Sequence, residues 1–315
     1  NDEQLDFKST IIKNELEPFV KNELSIEKSD RVHQEIENYL FQRGLSPSAL
    51  NVYLSNPMDF LLYHVLGLRE KENVDLTVET STLGTVIHNA LEELYLPFLK
   101  VNSSEIKYEV MKGRIKGFLI AELSKVYPEG YLQNGRLKIL IPVIEKWVQN
   151  FLLIDSKRGK QDPFTIVELE QKLSLTVSNS ELPFKMKGIV DRLEAWKGSE
   201  HVIDYKTGKV DQRDLSLKYD ELINFNPDKS KAYQLLMYTF IYRGAKSGSN
   251  TLLSSIYSFR NQKSGYLPLQ VDGNEKLGPE EMIAFENGLT KIVKSMLDKE
   301  IPIELTNHRY QKFSV

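Results

Sequence analysis

The chain has 315 residues, 41% of them hydrophobic, enough for one large domain or two smaller ones with a filled core. It has no cysteine, which excludes disulfides, thiolate zinc sites, cysteine nucleophiles and cysteine-ligated iron–sulfur clusters and leaves His, Asp and Glu as the main metal-binding side chains. A formal net charge of −3 argues against bulk electrostatic coating of nucleic acid but allows a local basic groove.

Residues 1–43 are charged, and Ile11, Ile12, Leu16, Phe19 and Val20 roughly follow a helical period, which predicts a helical extension over 1–44. Ser46-Pro47-Ser48 reads as a helix start, with apolar residues running from Ala49 past Pro57 to Leu66 and Gly67 closing the segment. Thr80-Ser81-Thr82 can cap a helix whose Leu83, Val86, Ile87, Ala90, Leu91 and Leu94 form a core stripe. Two further helices are expected near 103–126 and 136–154, separated by Pro128, Gly130 and Gly135.

After Pro163 the period changes. Strands are predicted over 164–177, 184–196 and 201–205, followed by Thr207-Gly208 and a long polar connection to about Ser230. A helix over 231–242, a strand over 252–259 and an amphipathic helix over 279–297 complete the chain. This order predicts a mixed α/β domain with helical elaborations.

Asp204 and Lys206 stand two apart on a predicted strand, so they share a face while Tyr205 points the other way. Asp191 lies on the preceding strand and can approach Asp204 if the two form a hairpin. Neighbouring carboxylates repel unless a cation sits between them. The tripeptide itself is common: Asp6-Phe7-Lys8, Glu105-Ile106-Lys107, Asp155-Ser156-Lys157 and Glu170-Gln171-Lys172 also occur, and a solvated salt pair is the plain reading of each. Only Asp204-Tyr205-Lys206 combines the apolar start Val202-Ile203, the tight exit Thr207-Gly208 and an acid on the strand before it.

Together these segments resemble the RecB/AddB-like branch of the PD-(D/E)XK nucleases, which includes CRISPR-associated exonucleases. Leu45-Ser46-Pro47-Ser48-Ala49-Leu50 with Asn56-Pro57-Met58-Asp59-Phe60 looks like the entry helices, and Gly84-Thr85-Val86-Ile87-His88 is similar to the G-x-x-x-H motif. Gly188-Ile189-Val190-Asp191-Arg192-Leu193 matches G-x-x-D-R, Val202 to Gly208 matches the D-Y-K-T-G strand, and Gln234-Leu235-Leu236-Met237-Tyr238 matches Q-x-x-x-Y. The motifs follow the family order over roughly 45–260.

The resemblance implies a restriction-endonuclease-like core, a mixed sheet flanked by helices, over 45–315 with a helical insertion at about 102–156. It implies that His88, Asp191, Asp204 and the backbone carbonyl of Tyr205 hold Mg²⁺ or Mn²⁺, and that Lys206 orients or deprotonates the attacking water. Gln234 and Tyr238 would position Lys206 and meet the DNA. Alone, His88 reads as an ordinary structural histidine, Gln234 and Tyr238 as polar tips of a half-buried helix, and Glu170 as either a further acid of the site or a solvent-facing strand residue. Arg192, Lys209, Arg213, Lys218, Arg260 and Lys263 are candidate phosphate contacts.

Many members of that branch carry four cysteines around a 4Fe–4S cluster, the first before the proline that corresponds to Pro57. Asn56 stands there instead, so no iron–sulfur cluster is expected. The implied activity is metal-dependent, exonucleolytic hydrolysis of DNA beside a helicase or helicase–nuclease partner in DNA repair. The alternatives are an inactive DNA-binding or scaffolding domain and an RNA or nucleotide phosphodiesterase. No apolar run reaches the roughly 18 residues of a membrane span and Asn1-Asp2-Glu3 opens no secretory signal, so a cytoplasmic location is expected, and the missing initiator Met is expected of a trimmed piece of something longer.

Overall fold

The change of period at Pro163 is where helices give way to the central sheet. The computed structural model describes residues 25–68, 80–178, 182–245 and 252–305. Among the described residues the longer helices before the sheet are α1 (Asp30–Asn38), α2 (Pro47–Ser55), α3 (Thr80–Tyr95), α4 (Tyr108–Ser124) and α5 (Gly135–Gln161). Ser46 starts α2 as expected, its hydroxyl accepting from the Ala49 N–H at 3.2 Å with Pro47 in the first turn. Asn56 then interrupts the predicted run by capping a new turn at Pro57, and Phe60–Val65 winds as a wider π-helical turn. Ile11 to Val20 lie outside the described residues.

Strands β1 (Phe164–Val177), β2 (Phe184–Trp196), β3 (Ser199–Lys206), β4 (Leu252–Ser258) and β5 (Tyr266–Pro268) lie side by side in that order. The first three form an antiparallel meander, β3 and β4 are parallel, and β5 returns antiparallel. A parallel step requires a crossover. Helix α6 (Ser230–Ala245) lies in it, and α7 (Pro279–Leu297) follows the sheet. The two-residue pairs Ser25–Ile26 with Ile303–Glu304 and Ser216–Leu217 with Gln270–Val271 carry no sequence signal, being too short to show alternation.

Two apolar cores cover the two faces of the sheet. Leu50 of α2, Leu236 of α6 and Phe285 of α7 pack with Met186, Leu193 and Val202. Ile87 of α3, Leu119 of α4 and Phe151 of α5 pack with Ile166, Ile203 and Tyr205. Among the described residues no helix is long and apolar enough to cross a membrane.

One break in the sheet positions the site. Val190 and Leu193 belong to the same core although they stand three apart, which strict alternation would place on opposite faces. On β1, Leu169 packs against one core and Leu173 in the other although they stand four apart, which strict alternation would place on one face. The hairpin therefore reverses its faces midway. The ladder runs through Leu169↔Arg192 and Gln171↔Val190, with Glu170 and Asp191 facing each other between these pairs, and Glu170 has φ +46°, in the left-handed region.

Candidate active site

Strand period alone places Asp204 and Lys206 together at the end of β3, where they form an ion pair of 2.7 Å. Tyr205, turned to the opposite face, packs edge-on against Phe151. On α6, Gln234 and Tyr238 are one turn apart; the Gln234 Nε2 donates to Asp204 Oδ1 and to the Tyr238 hydroxyl, both at 2.9 Å. Asp204 thus has a cation on one oxygen and an amide on the other.

Asp191 is tied to the same strand through the backbone, its Oδ2 accepting from the Tyr205 N–H at 2.6 Å. Its Oδ1 faces His88 Nδ1 at 3.4 Å, while His88 Nε2 donates to the Tyr205 carbonyl at 3.0 Å. Helix α3 brings His88 in over β3 because its apolar stripe packs into the second core. Gly84, one turn earlier, leaves a bare spot on that helix, and Thr207 approaches it: a Cβ on Gly84 would lie 3.7 Å from the Thr207 hydroxyl, an ordinary contact.

Glu170 joins this group. Ligand atoms of His88, Glu170 and Asp191 all lie within 4.8 Å of one another. The sequence leaves Glu170 between two readings because its face depends on the reversal in the hairpin, which alternation cannot foresee.

Concentrated negative charge sets the electrostatics. Burial, followed by the charge of Asp191, pushes the Glu170 carboxyl up to about 7. Burial also raises Asp204, and despite the opposing pull of Lys206 it reaches about 6, with Asp191 adding to the rise. For His88, burial disfavours the charged ring, but the charge and hydrogen bond of Asp191, helped by Asp204, overcome it and lift the pKa to about 9. Lys206 is likewise opposed by burial but held above its usual value by Asp204 and Asp191. Crowded carboxylates of this kind are relieved by a cation. His88, Glu170 and Asp191 offer two carboxylates and an imidazole, a donor set that fits a divalent cation.

Arg192 corrects an expectation. It does not face phosphate but is fully buried, with Asp155 at 3.0 Å and Glu194 as partners and the Tyr95 ring stacked 4.6 Å from its guanidinium. Arg158 completes the network through Glu194 and Asp155. Because Asp191 and Arg192 are sequence neighbours on a strand they project to opposite faces, so the acid enters the site while the arginine enters the second core.

A mixed five-stranded sheet that carries an acid on one strand and acid-x-lysine at the end of the next has the layout of a nuclease core. A model of the PD-(D/E)XK nuclease superfamily matches residues 44–308, and the chain belongs to that superfamily. It is 26% identical over 177 residues to an uncharacterised protein of Rickettsia felis (strain ATCC VR-1525 / URRWXCal2), covering 55% of this chain and 20% of that protein. It is 24% identical over 201 residues to a subunit of the ATP-dependent helicase/deoxyribonuclease of Clostridioides difficile (strain 630), covering 57% of this chain and 17% of that relative. The matched stretch spans a fifth or less of either relative's length.

Proposed function

We propose that the chain hydrolyses phosphodiester bonds of DNA with the help of a divalent cation, Mg²⁺ or Mn²⁺, and that it does so from DNA ends as the nuclease part of a helicase–nuclease repair assembly. The observation that carries the chemistry is the convergence of His88, Glu170 and Asp191 beside the Asp204–Lys206 ion pair. The DNA substrate and the helicase partner are supported by the similarity to a helicase/deoxyribonuclease subunit, and the end-directed mode follows the resemblance of the motifs to RecB-like exonucleases.

His88, Glu170 and Asp191 would hold the cation, with Asp204 and the Tyr205 carbonyl beside them. When bound, the ion polarises a phosphoryl oxygen and lowers the pKa of a water. The chain's own groups do the rest. Lys206 is kept near the reacting phosphate by Asp204 and orients the attacking water or steadies charge on the phosphoryl oxygens. Gln234, bonded to both Asp204 and Tyr238, fixes the acid so that Lys206 keeps its position.

The test is incubation of the chain with end-labelled linear DNA and with circular DNA in Mg²⁺, Mn²⁺ or EDTA. Loss of linear DNA only with metal, with the circles intact, is the expected result. DNA binding without cleavage under every condition would replace this reading with that of an inactive DNA-binding domain.

A further inference from the structure

Asp155 on α5 opens one of the common acid-x-lysine tripeptides, yet it is fully buried and not a solvated salt pair. Four donors satisfy its carboxylate. Oδ2 accepts from the Tyr95 hydroxyl at 2.6 Å and from Arg192 Nη2 at 3.0 Å. Oδ1 accepts from the Tyr266 hydroxyl at 2.7 Å and from Arg158 Nη2 at 3.1 Å.

The two oxygens serve different elements. Tyr95 is the last residue of α3, seven positions after His88, so the two lie nearly two full turns apart on one face of that helix, about 10 Å along its axis. Arg192 follows Asp191 on β2. A guanidinium held on one face of the strand therefore fixes the direction in which the Asp191 carboxylate leaves the other. Through Oδ2 alone, Asp155 joins the helix that carries His88 to the strand that carries Asp191. Arg192 Nη1 also faces the Tyr205 hydroxyl at 3.4 Å, and the Tyr205 backbone is bonded to both Asp191 and His88. Oδ1, by contrast, meets β5 and α5 itself, and neither supplies a residue of the acid cluster.

We infer that Asp155 is a positioning residue for the cation site: through Tyr95 and Arg192 it holds His88 and Asp191 at the separation that a shared divalent ion requires. This rests on the nuclease reading above. Packing alone does not call for such a group, because a buried ion network can often be replaced by apolar side chains without loss of stability. What an apolar core lacks is a set of directional bonds that fixes one helix against one strand in a single arrangement. Ligands held in place before the ion arrives bind it more tightly than ligands that must be ordered by it.

The test compares Tyr95→Phe with Tyr266→Phe in the full chain. Each removes one hydroxyl from Asp155 and keeps the ring, the first from the oxygen that joins α3 to β2, the second from the other oxygen. Mn²⁺ affinity is measured by calorimetry, stability by urea unfolding, and cleavage of linear DNA as a function of Mn²⁺ concentration. Both variants should lose stability to a similar degree. Only Tyr95→Phe should weaken Mn²⁺ binding, by about tenfold, with the parent cleavage rate recovered at saturating Mn²⁺. Parent Mn²⁺ affinity in Tyr95→Phe overturns the inference, and so does an equal loss of affinity in both variants, which leaves Asp155 a structural role only. A parent that binds no Mn²⁺ removes the cation site and the role of Asp155 with it. A parent that binds Mn²⁺ but cuts no DNA removes the nuclease reading alone, and the titration still decides the role of Asp155.

Discussion

Gly188 lies directly against Tyr238: a Cβ on the glycine would stand 2.8 Å from the tyrosine ring. The glycine of the G-x-x-D motif thus makes room for the tyrosine of the Q-x-x-x-Y helix. Gly188→Ala should push the ring away, cost about 1–3 kcal/mol by overpacking, and disturb the Gln234 bond to Asp204. Urea unfolding measures the first effect and single-turnover cleavage the second. Parent stability in the variant would show that the ring has slack and that the contact is not restrictive.

Lys206 separates chemistry from binding. Its ammonium is paired with Asp204 and carries positive charge, so in the proposed mechanism it would serve the reaction without ligating the cation. Lys206→Ala should lower the single-turnover cleavage rate by about 10²–10⁴ while metal and DNA affinities stay within about tenfold. A solvated salt-bridge lysine would change none of these, so parent-rate cleavage of linear DNA removes Lys206 from the mechanism.

Glu170 combines backbone strain with a place in the acid cluster. A non-glycine residue at φ +46° is costly, and such strain concentrates where function requires it. Glu170→Gln should weaken Mn²⁺ binding by at least about tenfold, read by calorimetry. Glu170→Gly should weaken it as much without lowering the melting temperature, because glycine adopts that conformation freely. Parent Mn²⁺ affinity in both variants would exclude Glu170 as a ligand.

His201 predicts how stability responds to acid. It is buried on β3 with its Nε2 2.8 Å from the Ser255 hydroxyl, and burial, only partly opposed by Glu194, lowers its pKa from 6.5 to about 4. The unfolded chain takes up the proton first, so this contribution is complete above about pH 6.5 and is lost as pH falls towards 4. The loss is at most about 1.4 kcal/mol per pH unit, about 3 kcal/mol over the window. Denaturation of the parent and of His201→Gln at pH 7, 6 and 5 isolates it: the parent's stability should fall more steeply, and parallel curves would show that His201 is not responsible.

The sequence by itself determined whatever depends on local period. The bounds of the two long strands, Phe164–Val177 and Phe184–Trp196, and of the last helix, Pro279–Leu297, follow from alternation, Pro163, Pro183 and Pro279, and the shared face of Asp204 and Lys206 follows from the two-residue repeat. Tertiary structure decided whatever depends on a break in the period or on distance along the chain. The reversal at Glu170 and Asp191 turned an ambiguous acid into the site, and the same strand sent Arg192 into a buried ion network, where its sequence context suggests a phosphate contact. His88 lies over one hundred residues from Asp204 in the chain, and it reaches the carboxylates because packing of α3 against the sheet places it there, a contact between distant segments that no local pattern encodes.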